Sequence, residues 1–189
     1  MAIAPRAMTL DEFLQLDEVE PALEYHNGMV TQKMAPKGRH SAIQVEIVEW
    51  INRSARPRRS ARALTELRTT FAGASHVPDV VVYRAERIPR DAAGQIPDDV
   101  FAPPDIAVEI ASPGQSITQL VRLCLWYATN GVAAALLVDP ADRTILVFRH
   151  GAHVAALVEA DTLDLSDVVP GLQAPVREIF RSLSADYWP

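Results

Sequence analysis

Asp105-Ile-Ala-Val-Glu-Ile-Ala111 and Val132-Ala-Ala-Ala-Leu-Leu-Val138 frame the stretch of sequence that decides the fold. Both runs are almost continuously apolar, which is typical of central strands that are covered on both faces. The segment from Ser116 to Asn130 has helical apolar spacing, and Gly131 is placed to end the helix. Two strands that are joined through a helix pair in parallel, with a right-handed crossover. We therefore expect a sheet with a parallel pair of strands inside it.

The flanking segments predict further strands and helices around this unit. Asn27-Gly28 separates two short apolar runs and favours a tight hairpin over residues 23–30. Thr9 and Glu12 form a capping box that begins a short helix ending near Leu16. Further helices are expected over 40–53 and 175–183, strands over 63–71, 77–83, 144–149 and 154–158, and a long surface loop over 85–104. The expected fold class is α/β (α+β), a mixed sheet flanked by helices in a single domain over 1–189, with 1–8 as a loose arm.

Composition excludes several functional classes. The chain has 189 residues, is 49% hydrophobic and carries a net charge of −6, so it is not a polycation that binds nucleic acid by bulk charge. A single cysteine, Cys124, excludes an intramolecular disulfide and a four-cysteine zinc site. The chain has no apolar run of about 18 residues and no signal-peptide core, which predicts a cytoplasmic protein without a membrane span. Lys33 and Lys37 are the only lysines.

Common catalytic motifs are missing from the sequence. No glycines are spaced as in a dinucleotide-binding or phosphate-binding loop, and there is no GxSxG nucleophile motif. The five histidines lack metal-ligand spacing. Cys124 lies among apolar residues of a predicted helix, which indicates a buried structural thiol rather than a nucleophile.

Three carboxylates interrupt otherwise apolar predicted strands. Asp79 follows Pro78 and opens a valine run, Glu109 lies within 105–111, and Glu66 lies within 63–71. A carboxylate inside an apolar strand is costly unless a positive charge pairs with it. Either an arginine or a hard divalent cation could supply that charge, because Mg²⁺ prefers carboxylate and carbonyl oxygens. The residues alone leave both alternatives open.

Several short motifs, in this order, resemble one known family. They are Thr9 to Phe13, Tyr25 to Val30, Gly38 to Ser41, Pro78-Asp79, Val108 to Pro113, Trp126 to Val132, Val138 to Pro140, and Pro170 to Phe180. Together they resemble the Uma2 family (the DUF820 group) of restriction-endonuclease-like proteins, within the PD-(D/E)XK nuclease superfamily. The resemblance covers most of the chain. It implies a restriction-endonuclease-like core with an N-terminal hairpin and a C-terminal meander.

The resemblance implies a metal-dependent endonuclease. Asp79 and Glu109 would hold Mg²⁺ (or Mn²⁺), with the Ile110 carbonyl beside them and Glu66 in support. The reaction would be attack of a metal-activated water on a phosphodiester of DNA. A homodimer is also expected from the family.

The sequence departs from the family pattern at the catalytic lysine. Ala111 stands two residues after Glu109, and Leu123 stands at the position on the following helix to which the family displaces its lysine. Two explanations follow. Either Arg122 reaches the phosphate from a shifted angle, or the site is degenerate and binds without cleaving.

Arginines provide the best candidate for contact with a DNA backbone. The arginine cluster is defined as Arg53, Arg56, Arg58, Arg59 and Arg62, and Arg39 and Lys37 extend it. The competing interpretation is a solvated, arginine-rich loop. His40 either contacts the site or serves as a capping or packing residue.

Three functional hypotheses remain at this stage. The leading one is a Mg²⁺-dependent DNA endonuclease. The second is a catalytically silent nuclease-fold protein that binds nucleic acid or a protein partner as a homodimer. The third is a structural oligomer whose strand carboxylates pair with arginines.

Overall fold

The computed structural model describes residues 8–187, so most of the predicted N-terminal arm, residues 1–7, lies outside the described residues. The helices are α1 (Leu10–Phe13), α2 (Gly38–Ala55), α3 (Ile117–Thr129) and α4 (Val176–Arg181), with short 3₁₀ turns at Arg56–Arg58 and Ala85–Arg87. The capping box is confirmed, since the Thr9 hydroxyl accepts from the Glu12 N–H and the Glu12 carboxylate accepts from the Thr9 N–H. No helix among residues 8–187 is long and apolar enough to cross a bilayer.

Twelve strands, counted over the described residues, form three sheets. They are β1 (Leu23–His26), β2 (Met29–Gln32), β3 (Ala61–Thr65), β4 (Thr69–Phe71), β5 (Ala74–His76), β6 (Val80–Arg84), β7 (Ile106–Ile110), β8 (Ala134–Asp139), β9 (Thr144–Phe148), β10 (Ala155–Leu157), β11 (Thr162–Asp164) and β12 (Gln173–Pro175). The main sheet has the order β10-β9-β8-β7-β6-β3. Its β7 and β8 pair in parallel and are joined through α3, as predicted, while the other pairs are antiparallel.

Helices α2 and α3 cover opposite faces of the main sheet. On one face, Ile43, Ile47 and Ile51 of α2 pack in one cluster with alternate residues of β6 and β7, including Val108. On the other face, the buried side of α3 packs against Ala107 and its neighbours. Each fully buried aliphatic side chain contributes about 1.5–3 kcal/mol, so these two layers fix the position of the sheet between the helices.

A second sheet, in the order β2-β1-β5-β4, carries the N-terminal hairpin. Asn27 and Gly28 both have positive φ, as the tight turn between β1 and β2 requires. Strand β1 also pairs with β5, with Tyr25 opposite Ser75. Because β5 is followed directly by Val77 and β6, this pairing fixes the end of the hairpin beside the start of β6.

Two sequence-based strand predictions are wrong in detail. The strand predicted over 63–71 is two strands, because Glu66 has a left-handed φ of 49° and ends the pairing of β3. Residues 74–76 form a separate strand before β6, so the strand predicted over 77–83 begins three residues later. The short pair β11–β12 was not predicted; its strands have three residues each, too few for a periodic signal.

Candidate functional site

Three carboxylates lie in a row at one end of the main sheet. The pairing of β3 with β6, continued by one residue past Thr65, places Glu66 opposite Asp79, and the Glu66 N–H donates to the Asp79 carbonyl at 3.4 Å. The pairing of β6 with β7, extended in the same way, places Asp79 opposite Glu109. The side-chain partners of the two neighbouring acids lie on different helices, since Asp79 contacts His40 of α2 and Glu109 contacts Tyr127 of α3. We call Glu66, Asp79 and Glu109 the acid row.

Asp79 is the central and most heavily bonded member of the acid row. Its Oδ2 accepts the Ile110 N–H at 2.6 Å and the His40 Nε2–H at 3.0 Å, and its Oδ1 accepts from Lys33 Nζ at 2.7 Å. His40 lies on the first turn of α2, so the helix that packs on the sheet also holds this carboxylate. Burial opposes ionisation, but the His40 hydrogen bond and the Lys33 charge outweigh it and lower the pKa of Asp79. Asp79 is therefore a buried, ionised and fixed carboxylate.

Lys33 lies directly after β2 and places its ammonium between two acids. Nζ donates to Asp79 Oδ1 at 2.7 Å, to Glu66 Oε2 at 3.0 Å and to the Val77 carbonyl at 2.7 Å. Only 13% of its side chain is exposed. Burial alone would lower the pKa of Lys33, but the neighbouring carboxylates, Asp79 above all, raise it above its usual value. The site therefore contains a permanent cation.

Gln44 orients Glu66 from one turn further along α2. Its Nε2 donates to Glu66 Oε1 and to the Asp79 carbonyl, both at 2.8 Å. Glu66 thus has one oxygen held by an amide and the other by an ammonium. Its side chain is 45% exposed, so it forms the solvent-facing end of the acid row.

Glu109 is the buried end of the acid row and has a different partner. Its Oε1 accepts the hydroxyl of Tyr127, on α3, at 2.9 Å. The ring of Tyr127 is in turn packed by His76 and Phe71, with centroids 5.8 and 6.4 Å away. Burial first, and then the neighbouring charge of Asp79, raise the pKa of Glu109 well above its ordinary value. Burial thus favours the protonated form of Glu109, while the partners of Asp79 favour its charged form.

An open cavity of about 560 Å³ lies over Asp79, Glu66 and Lys33. Its lining is strongly acidic: the carboxylates are Glu18, Glu20, Glu66, Asp79, Asp98 and Asp99, and the cations are Lys33 and Arg68, with His40 alongside. Glu109 is not one of the residues that line this cavity, and only 5% of it is exposed. Such a cavity attracts cations and repels a phosphate unless its charge is first neutralised.

Arginine does not pair with the acid row within the described residues. The partners of these carboxylates are Lys33, His40, Gln44, Tyr127 and the Ile110 N–H. Arginine pairing instead describes Asp105, which accepts from Arg84 Nε at 2.9 Å and Arg87 Nη1 at 2.6 Å. The structural-oligomer hypothesis therefore explains Asp105 and not the candidate site.

The structure does not bring Arg122 to the acid row. It lies on α3 five residues before Tyr127, so the two side chains diverge by about 140°. Tyr127 faces the core, while Arg122 is exposed and has no ion pair within the described residues. Leu123 is partly buried against the α3 face of the sheet. The replacement of the family lysine on α3 is thus apolar packing, with no arginine substitute beside it.

The predicted DNA-contact arginines fall at two separate places. Arg39 lies on the first turn of α2, next to His40. The arginine cluster lies at the other end of α2 and in the segment that follows, where its members are exposed. Thirteen residues separate His40 from Arg53, so about 20 Å of helix lies between the acid row and the cluster. The cluster is therefore remote from the site.

Sequence reasoning missed Lys33, Gln44 and Tyr127 and left His40 undecided. Lys33 carried one usable signal, because lysine is so rare in this chain. The tight hairpin was predicted, but its pairing with β5 was not. This pairing places Lys33 next to the Val77 carbonyl. That long-range pairing has no local sequence signature.

The donors at the cavity fit a hard divalent cation in type. Two carboxylate oxygens and one carbonyl oxygen already surround the Lys33 ammonium, and these are the oxygen ligands that Mg²⁺ prefers. Among residues 8–187, no group of three or more His, Cys, Asp and Glu side chains is arranged to hold a metal ion. A cation here would thus rely on one or two carboxylates, as is usual for Mg²⁺.

A mixed sheet with an internal parallel pair, and with an acid row over a cavity at its strand ends, defines a restriction-endonuclease-like α/β protein. The model of the Uma2 family, described as "Putative restriction endonuclease", matches residues 10–177. The chain therefore belongs to the Uma2 family. Its membership and its fold confirm the resemblance found in the sequence.

One solved structure supports the same assignment. The crystal structure of a "putative nuclease belonging to DUF820" from Anabaena variabilis ATCC 29413 matches with a TM-score of 0.89 and 38% identity, over 94% of this chain and 99% of that one. A cryo-EM structure of a DrdV–DNA complex matches at a TM-score of 0.41 and 16% identity, over 79% of this chain and 11% of that one. None of the curated proteins searched matches the sequence significantly.

Proposed function

We propose that the protein is a Mg²⁺- or Mn²⁺-dependent endonuclease that hydrolyses phosphodiester bonds in DNA. The observation that carries this proposal is the convergence of Asp79, Glu66 and a lysine ammonium at one cavity, with Glu109 directly across the strand. Membership of a restriction-endonuclease-like family supports the reaction class. The presence of Lys33 weakens the case for a degenerate site, which rested on a missing lysine.

Asp79 and Glu66 would hold the divalent cation at the cavity. Glu109 would join them after losing its proton, with the Ile110 carbonyl as a further oxygen. A bound Mg²⁺ would supply charge neutralisation at the phosphodiester and activation of a water molecule. The acidic cavity provides the negative potential that draws such a cation in.

The protein's own side chains would hold the metal-binding carboxylates in place and would neutralise the negative charge of a bound phosphate. The His40 Nε2–H and the Ile110 N–H fix Asp79 from two sides, so the carboxylate does not reorient during the reaction. Gln44 holds Glu66 in the same way. The Lys33 ammonium, on a flexible side chain, is the positive group nearest to a bound phosphate.

Backbone contacts with DNA would come from arginines at both ends of α2. Arg39, next to His40 on the first turn of α2, would contact a phosphate near the scissile bond. The arginine cluster would contact the backbone about 20 Å away along the helix. These contacts position the substrate without reading its sequence.

Nicking of supercoiled plasmid tests the proposal. Wild-type protein should nick with Mg²⁺ or Mn²⁺ and not with EDTA, while Asp79→Asn should lose at least about 100-fold, because the central charged group is removed. Asp142→Asn, on the exposed β8–β9 turn, is the matched control and should keep wild-type activity. Nicking that persists in Asp79→Asn would contradict the proposal.

One observation favours a second candidate, a non-cleaving protein that binds nucleic acid or a protein partner as a homodimer. Glu109 is buried and bonded to Tyr127, and burial raises its pKa, which favours the protonated form of a structural acid over the charged form of a metal ligand. Absence of nicking by the wild type, together with absence of Mn²⁺ binding in calorimetry, would select this candidate.

A further inference from the structure

Lys33 occupies the place that a hard cation would take. Its three ammonium donors are satisfied by Asp79 Oδ1, Glu66 Oε2 and the Val77 carbonyl, all within 3.0 Å. Two carboxylates and a carbonyl are an oxygen cage of the kind that binds Mg²⁺ or Mn²⁺. The ammonium and a divalent metal therefore need the same oxygens.

Both carboxylate oxygens of Asp79 already accept hydrogen bonds, so a metal ion that binds them must displace or crowd one of the hydrogen-bond donors. Its Oδ2 accepts two N–H groups and its Oδ1 accepts the ammonium. The Ile110 N–H belongs to a buried central strand, and His40 is 6% exposed within α2, so neither can move away easily. Lys33 has a long flexible side chain and lines the open cavity. Of the three donors, Lys33 is the one that can leave.

We propose that Lys33 is an internal cation that reserves the metal site: a divalent metal displaces its ammonium from Asp79 and Glu66 and releases it into the cavity. This inference rests on the proposed function and adds an exchange step to it. The released ammonium remains tethered beside the site, where an anionic phosphodiester would meet it. Lys33 thus holds the acidic site together before the metal binds and becomes available for substrate afterwards.

Competitive lysine labelling tests the exchange in the unmodified sequence. The protein is methylated with formaldehyde and borane during a Mn²⁺ titration, and the labelling of each lysine is measured by mass spectrometry. Lys33 labelling should start low and rise at least about threefold with Mn²⁺. Lys37, which is exposed and donates to the Pro113 carbonyl, serves as the internal control and should stay constant. Lys33 labelling that stays low while Mn²⁺ binds overturns the inference.

Metal affinity of two matched variants gives the second measurement. Calorimetric titration with Mn²⁺ should give Lys33→Met an affinity about tenfold or more above the wild type, because the competing charge is gone. Lys37→Met should bind like the wild type. Equal affinity of Lys33→Met and the wild type overturns the displacement step and leaves the endonuclease proposal standing. Failure of all three proteins to bind Mn²⁺ overturns both. The labelling measurement needs no substitution, so it decides the matter if Lys33→Met does not fold.

Discussion

Replacing Glu109 by glutamine should make the protein increasingly more stable than the wild type as the pH rises. Glutamine keeps the size of the side chain and an oxygen that can accept the Tyr127 hydroxyl. The substitution removes only the ability of the side chain to ionise. Since burial raises the pKa of Glu109 well above its ordinary value of 4.5, the native wild type holds a proton that the unfolded chain releases.

The magnitude follows from proton linkage. Between the unfolded and native pKa values of Glu109, the native state binds one proton more than the unfolded state, so wild-type stability falls with rising pH. The fall is about 1.4 kcal/mol for each pH unit in which the native carboxyl keeps its proton. Glu109→Gln lacks this loss, so the difference between the two proteins should widen by the same amount per pH unit between the unfolded and native pKa values of Glu109.

Urea unfolding followed by circular dichroism at pH 5, 6, 7 and 8 measures this difference. Glu49→Gln, an exposed glutamate of α2, is the control and should run parallel to the wild type. Asp79→Asn should show no such trend from pH 5 to 8, because the pKa of Asp79 is lowered in the native state and the carboxylate is ionised in both the folded and the unfolded chain. Its cost, about 3–5 kcal/mol for a broken buried ion pair, should shrink only as the pH falls below the ordinary value of 3.8 and through the native pKa of Asp79.

A constant difference between Glu109→Gln and the wild type from pH 5 to pH 8 would refute the reasoning. It would mean that Glu109 is ionised in the folded protein and that two adjacent buried carboxylates are charged together. The neutral-acid description of Glu109 would then be wrong.

Further predictions concern groups away from the acid row. Asp105→Ala removes a buried carboxylate that accepts from Arg84 and Arg87, and it should cost about 2–3 kcal/mol, or roughly 4–12 °C in Tm by calorimetry. Gly131→Ala forces a side chain into φ +99° with a 3.3 Å contact, and urea unfolding should show a loss of about 1 kcal/mol or more. Burial raises the pKa of Cys124, so its thiol should react with Ellman's reagent only as fast as the protein unfolds.

The core of the fold was predictable because it is local. The strand–helix–strand unit 105–138 has a clear apolar period at each step, and its parallel pairing follows from the helix between its strands. The break at Glu66 was not predictable, since the alternation of 63–71 continues smoothly through a residue that adopts a left-handed φ. The alternation of apolar and polar residues predicts which face of a strand a residue occupies. It does not predict a change in backbone conformation such as the left-handed φ of Glu66.

The site was half predictable for a related reason. Carboxylates in apolar strands stand out, so Asp79 and Glu109 were found from their own surroundings. Lys33 and His40 belong to segments with ordinary local sequence, and they reach Asp79 only through the pairing of β1 with β5 and the packing of α2 on the sheet. The sequence pattern therefore points to a lysine position on α3, at Leu123, whereas the ammonium comes from Lys33, directly after the hairpin.

Helix α2 separates two regions of opposite charge in this protein. The acid row lies near its first turn, and the arginine cluster lies at its other end. At 0.15 M salt the Debye length is about 8 Å, which is shorter than the roughly 20 Å between the acid row and the arginine cluster. Each region therefore attracts or repels charged partners independently of the other. In the proposed function, a polyanion would be attracted to the arginine cluster and repelled by the acid row, so its first contact with the protein would be at the arginines. A divalent ion bound at the acid row would remove this repulsion, and the same polyanion could then lie along the whole length of the helix.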